Sequence, residues 1–202
     1  MVINPPELSP LAAYKLATSI IVPRPIAWVG SQSPSGEQNL APFSYFMGVS
    51  TQPPTIAISV ARGRGGKLKD TAANILAAEE FSVSVVSHGL REPMVQSSLP
   101  LAPEESEFDA VGLVSEACDT VQAPRPAAAL VAMECRLIHS HDLGTTHLLV
   151  GEVLRYHIAE HAVLTDEKGH STVDIEALDP IGRLGGHEYC RISERFTLKP
   201  QK

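Results

Sequence analysis

Long apolar runs are missing from this chain. Nothing approaches the ~20 consecutive apolar residues that a helix needs to cross a bilayer. The longest candidate, around Ala127–Ala132, meets Glu134 and Arg136 almost at once, so no membrane partner is expected. Cysteine is scarce as well. Cys118, Cys135 and Cys190 stand far apart, their number is odd and no CxxC occurs, which leaves a disulfide framework and a zinc knuckle without support. The opening MVINPPELSP carries neither the basic stretch nor the apolar core of a secretory signal. Together these absences lead to the expectation of a reducing, cytoplasmic protein. Positive charge is short too: the formal net charge is −7, which argues against nucleic acid as a general partner.

What charge there is lies unevenly. Residues 1–100 carry seven Lys/Arg and six Asp/Glu, while the remainder carries nine and seventeen. Four of the first seven cations, Arg62, Arg64, Lys67 and Lys69, fall within eight residues. In an acidic chain such a cluster marks a local anion site or an ordinary solvated loop.

The remaining pattern is that of strands with a few short helices. Ser9-Pro10 before LAAYKLAT reads as a capped helix start. Strands are expected at 25–31, at 38–46 with an interruption at Pro42, at 54–60 and at 81–87, the last alternating with period two. SPSG (33–36) reads as a turn. A helix is expected at 70–80, capped by Asp70 or Thr71, and a second short one at 89–98. Pro100, Pro103, Pro124 and Pro126 mark 99–126 as mostly irregular. Two long runs, 128–141 and 146–159, meet at the tight turn DLGT and read as a hairpin. The tail at 179–189 is rich in turn residues. With no repeat and no dividing linker, one domain over 1–202 is expected. Its class is mainly β, a β-barrel with short helices, because closure solves the edge problem of such a sheet.

The segment ARGRGGKLKDT carries the chemistry. Glycines let backbone N–H groups approach a ligand, and the free N–H groups and positive dipole end of a helix start favour a phosphate. Arginines add a fork of donors, lysines a point charge. Two common nucleotide patterns fail here. A Walker loop needs Ser or Thr after Gly66-Lys67, where Leu68 stands. A dinucleotide fingerprint needs a third glycine at that same position. A mobile basic loop stays open beside phosphate binding.

IVPRPIAWVGS, GEQNLAPFSYFMGVSTQPP, SVARGRGGKLKDTAANI and DPIGRLGGHEY together resemble the flavin reductase-like family, whose members share an FMN-binding split barrel and include flavoredoxin-like proteins. The resemblance runs from about Ser19 to Tyr189. It implies FMN as cofactor and a homodimer with the flavin at or near the subunit interface. It also implies three groups of site residues. Asn39, Ala41, Pro42, Ser44 and Tyr45 would line the isoalloxazine, largely through backbone groups that Pro42 frees by disrupting the ladder. Ser59 and Ala61 would lie under the flavin. Arg62, Lys69, Asp70, Thr71 and Asn74 would surround the ribityl chain and phosphate, with Asp70 as a cap or as a partner of Lys69 or the ribityl hydroxyls. The chain departs from the family pattern at Gly30, where Thr is frequent, and at Met47 and Ser84, where Asn is.

Other features carry less. His139, His141 and His147 invite a metal reading, but the further ligands of a cupin motif are not at the right offsets, and solvated or hairpin-pairing histidines are the better account. Cys135 alternates with Met133 and Leu137 as a core thiol would. No GxSxG elbow occurs, and adjacent Ser87-His88 is not a dyad signature. Trp28 and Tyr45 suit either flavin stacking or a core, and His187 suits either a site or a surface loop. The expected activity is NAD(P)H-dependent flavin oxidoreduction, with hydride passing from nicotinamide to flavin N5 and no catalytic acid–base residue. The rivals are an FMN-holding electron carrier with a redox partner protein, and a binder or hydrolase of another phosphorylated nucleotide.

Overall fold

In the computed structural model, which describes residues 1–101, 105–192 and 194–200, seven strands form one antiparallel sheet. They are β1 (Ala27–Gln32), β2 (Gln38–Phe43), β3 (Phe46–Thr51), β4 (Pro54–Ala61), β5 (Glu80–Val85), β6 (Val131–Asp142) and β7 (Thr146–Ile158). Their order across the sheet is β2-β1-β5-β6-β7-β4-β3. β2 and β3 are therefore the two edges, yet only Ser44 and Tyr45 separate them in the chain. Such a link spans about 10 Å at most, so the sheet has to curl until its edges approach. The Ser59 N–H of β4 donates to the Tyr45 carbonyl at 2.9 Å and holds the link down. The product is a barrel split between β2 and β3, the mainly β class that the sequence leads one to expect.

Period-two alternation decides what fills it. Ala27 and Val29 of β1, Phe81 and Val83 of β5, Met133 and Cys135 of β6, and Ile56, Ile58 and Val60 of β4 share one buried cluster. The helix α2 (Asp70–Ala78) adds Ala72 and Ile75 to it. Cys135 is thus the core thiol its spacing predicts. The opposite face of β1 is buried as well: Trp28 packs with Ile26, just ahead of the strand, and with Leu40, Met94, Phe108 and Ile181 in a second cluster outside the barrel. Trp28 Nε1 donates to Ser97 Oγ at 2.9 Å, which satisfies the indole inside an apolar site. Ahead of the barrel, α1 (Pro10–Ile20) starts as expected, with Ser9 Oγ accepting from the Ala12 N–H at 3.3 Å.

Three local expectations need correction. The strand expected at 38–46 breaks at Ser44-Tyr45 rather than at Pro42. Pro42 stays in register opposite Trp28, between the pairs Ala27↔Phe43 and Val29↔Ala41, so it does not disrupt the ladder. An edge strand tolerates proline because its outward N–H needs no partner strand. The helix expected at 70–80 ends at Ala78, because Glu79 turns left-handed at φ 59° and Glu80 already belongs to β5. Neither Asp70 nor Thr71 caps that helix: Lys69 holds the N-cap position and offers no side-chain cap. Pro103 lies outside the described residues.

The outer face of β1 and β5 is covered tightly. A Cβ on Gly30 would lie 1.9 Å from the Pro124 carbonyl oxygen and 2.5 Å from Ser82 Oγ. Ser82 Oγ itself donates to Pro124 O at 2.5 Å. The threonine that the resemblance leads one to expect at this position would not fit under this segment. Gly30→Ala is expected to lower stability by about 2 to 3 kcal/mol through overpacking, measured by urea denaturation, and an unchanged midpoint would show that the segment at Pro124 yields freely.

Candidate functional site

Three adjoining cavities follow β2 along its free edge. The first, about 320 Å³, is lined by Ser33, Glu37, Asn39, Asp70, Asn74 and Glu107 among others. The second, about 370 Å³, contains Asn39, Ala41, Pro42, Lys69, Asp70 and Thr71. The third, about 220 Å³, takes over at Pro42 and Phe43 and ends at Ser44, Arg183 and Tyr189. Shared lining residues make one trough of the three, running in strand order from residue 33 to residue 44.

The trough's floor carries a buried polar cluster. Thr71 and Asn74 lie one turn apart on α2 and point at β1 and β2. Asn39 Nδ2 donates to Thr71 Oγ1 at 3.0 Å, and Asn74 Nδ2 donates to Ser31 Oγ at 3.3 Å. All four residues are buried. Asn39 and Asn74 keep carbonyl oxygens and the Thr71 hydroxyl keeps its proton, so the cluster can still bond a ligand.

The start of α2 opens into the same trough. The first intrahelical bond runs from the Ala73 N–H to the Lys69 carbonyl at 3.0 Å. The N–H groups of Asp70, Thr71 and Ala72 therefore lack helical partners, and no Lys69 side-chain cap covers them. Lys69 itself is exposed, enters no ion pair among the described residues and lines the middle cavity. Arg62 is differently placed. Its Nη2 meets Asp142 Oδ2 at 2.6 Å and its Nη1 donates to the Gly66 carbonyl at 3.0 Å. The Gly144 N–H and the Arg62 guanidinium hold the Asp142 carboxyl below its ordinary pKa range.

Of the expected site residues, Asn39, Ala41, Pro42, Lys69, Asp70 and Thr71 meet in the middle cavity, Asn74 lines the first and Ser44 the third. Tyr45, Ser59, Ala61 and Arg62 line none of the three. Ser59 is joined to Tyr45 through the main chain, and Gly63 reaches the middle cavity in place of Arg62. None of the three hairpin histidines is paired with another: His139 stands opposite Val150, His141 opposite Leu148 and His147 opposite Asp142.

Two residues at the trough, one in its lining and one behind its wall, escaped the sequence reading. Glu107, on a short helix at Glu107–Ala110, accepts from the Leu40 N–H of β2 at 2.9 Å and lines the two larger cavities. Burial raises its pKa, and the Asp70 charge adds to that. No local motif signals it. Arg24 is only 4% exposed and lies behind Ser44. Its signal was an arginine between two prolines in an otherwise apolar run.

Residues 19–172 match the flavin reductase like domain. The chain belongs to that family. Among solved structures, this flavin reductase-like chain is similar to nitrilotriacetate monooxygenase component B from Bacillus cereus, at 36% identity over 98% of each chain with a TM-score of 0.90. It is also similar to 2-nitrobenzoate 2-nitroreductase from Pseudomonas fluorescens, at 32% identity over 100% of this chain and 96% of that one, with a TM-score of 0.88. Flavoredoxin of Desulfovibrio vulgaris (Miyazaki F) shares the fold at 22% identity, covering 88% of this chain and 91% of its own, with a TM-score of 0.75. No helix among the described residues is long and apolar enough to cross a membrane.

Proposed function

We propose that the trough along β2 holds FMN and that the chain is an NAD(P)H-dependent flavin oxidoreductase. The observation that carries this reading is the uncapped start of α2, which opens beside Lys69 and the buried Asn39–Thr71 pair. The donor set fits each part of the ligand in turn. Free helix N–H groups and Lys69 suit the phosphate. The Asn39, Thr71 and Asn74 cluster suits the ribityl hydroxyls. The β2 backbone from Ala41 to Ser44, with Pro42, suits the ring. Bound FMN would supply the hydride acceptor, N5, for a nicotinamide C4 donor. The chain's own residues then bind, orient and exclude water, and no side chain is assigned an acid–base role. Neighbours at 36% and 32% identity that carry the names of a monooxygenase component and a nitroreductase support an enzyme.

A second reading, an FMN-holding electron carrier, draws on the missing dinucleotide fingerprint at 61–69. The two separate in one experiment. The purified protein is expected to be yellow and to bleach promptly under anaerobic NADH or NADPH. Bleaching by dithionite alone would favour the carrier, and a colourless protein that takes up no added FMN would sink both readings. Light scattering on the same sample is expected to give twice the chain mass. The free edge of β3 exposes Met47 and Val49, an apolar strip suited to burial between two copies.

A further inference from the structure

Arg24 is a buried cation with no carboxylate within ion-pair distance among the described residues. Its Nη1 donates to the Thr18 and Ile21 carbonyls at 2.6 and 2.7 Å, and its Nη2 to the Leu184 carbonyl at 2.9 Å. Nε reaches Ser44 Oγ at 3.3 Å. The main chain fixes it further: the Arg24 N–H donates to Arg183 O at 3.0 Å, and the Arg183 N–H to Arg24 O at 2.8 Å. No ion pair among the described residues includes it. The carbonyls at the end of α1 lie at the negative end of a helix dipole. They solvate the charge but carry only partial charge themselves, and an unpaired buried ion is costly to keep.

The charge lies behind the wall at one end of the trough. Ser44, which Arg24 touches, forms part of the wall of the third cavity, and the Arg24 Cζ lies 6.0 Å from the Tyr45 ring centroid. Arg183 lines the same cavity and lies over the Tyr189 ring at 4.4 Å. Among the described residues no carboxylate lines that cavity. At the opposite end Glu37, Asp70, Glu105 and Glu107 do line the wall. The trough is therefore polarised along β2, acidic near residue 37 and cationic near residue 44.

We propose that Arg24 is a positioning residue whose uncompensated charge, acting through Ser44, favours negative charge on a ring bound at the Ser44 end. This rests on the FMN reading above. Uptake of a hydride adds two electrons and one proton to a flavin and leaves one net negative charge on its ring. A fixed cation behind the wall stabilises that charge, because the site is drier than water and the Coulomb term is correspondingly larger. Arg24 touches neither donor nor acceptor, so its effect falls on the ring's readiness to accept charge.

The test uses the FMN-loaded protein and sulfite, a dianion that adds through sulfur to flavin N5 and leaves one negative charge on the ring, as hydride does, and the other on the sulfonate. The readouts are the sulfite dissociation constant, from loss of the visible band, and the midpoint potential, from dye-equilibrated titration. Wild type is expected to bind sulfite at least about tenfold more tightly than free FMN does. Arg24→Gln is expected to lose at least about tenfold of that and to lower the potential. Arg24→Lys, which keeps the charge, is expected to recover most of both. Equal losses in the glutamine and lysine variants would show a merely structural role and overturn the proposal, as would no loss in either. Should Arg24→Gln fail to fold, the wild type still decides: sulfite affinity no tighter than that of free FMN overturns it. Failure of the wild type to take up FMN would instead overturn the flavin reading itself.

Discussion

Glu134→Ala is expected to lower the stability of the fold by about 2 to 4 kcal/mol at neutral pH. Glu134 stands on β6 and is fully buried on the outer face of the barrel. Its Oε1 accepts from the Asp119 N–H at 2.8 Å and meets His157 Nε2 at 2.5 Å. Its Oε2 accepts from the Thr120 N–H at 2.6 Å and from the Thr120 hydroxyl. One carboxylate thus fastens the segment around residue 119 to the sheet. Alanine would strand those donors, although water can reach part of the exposed Asp119–Thr120 turn, which keeps the loss below that of a wholly buried network. Burial pushes the Glu134 carboxyl up, but the Thr120 hydroxyl, the Asp119 N–H, His157 and the Thr120 N–H outweigh it and bring its pKa down to about 2. The folded value lies below the unfolded one. The contribution is therefore present above the ordinary carboxylate pKa and is lost as the pH falls towards 2. The shift corresponds to roughly 3 kcal/mol, the same order as the mutational loss. Urea denaturation from about pH 5 downwards should show a steep acid limb in wild type and a flatter one in Glu134→Gln; parallel limbs would remove the assignment. The neighbouring Cys118 feels the same surroundings, and burial together with the Glu134 charge pushes its thiol up to about 12. Slow alkylation of Cys118 in the native protein belongs to the same picture.

Local pattern and long-range placement divide what could be read from the sequence. The alternation in FSVSVVS and the tight turn DLGT between two long strand-like runs are properties of neighbours, and they mark those strands in the sequence. DTAANILAA was legible as a helix for the same reason. Pro42 was misread because its tolerance depends on β2 being an edge, and that depends on where six other strands lie. The cap of α2 was misplaced by one or two residues because capping follows the backbone entry angle rather than residue type alone. The lining of the trough was legible where one segment supplies both residue type and position, as at Asn39–Pro42 and Lys69–Thr71. It was not legible where the partner is remote. Glu107 meets Leu40 across 67 positions and Arg24 meets Leu184 across 160, and no spacing rule reaches that far.

The basic segment shows how the structure ranks residues that the sequence treats alike. Arg62 and Lys69 look equivalent as phosphate partners, but only Lys69 enters no ion pair among the described residues and stands at the uncapped helix start. Arg62 must first give up Asp142, at 2.6 Å, and the Gly66 carbonyl. Lys69→Ala is therefore expected to weaken FMN binding by about 10- to 100-fold, the worth of one charge-assisted hydrogen bond. Arg62→Ala should weaken it by several-fold at most, because the charge it removes is already compensated. Asp142→Asn then becomes the informative third variant. Freed from its carboxylate, Arg62 can turn towards a dianion, and affinity should hold or rise. Fluorescence quenching titrations with FMN at about 0.1 M salt would measure all three, and repeating them at higher salt should shrink the Lys69 effect, since an exposed charge is screened. A larger loss in Arg62→Ala than in Lys69→Ala would reverse the ranking and move the phosphate towards the β4–β6 side of the loop. Turnover at saturating flavin should change little in any of these variants, since a group that holds the phosphate in ground and transition state alike alters affinity and leaves the chemical step alone.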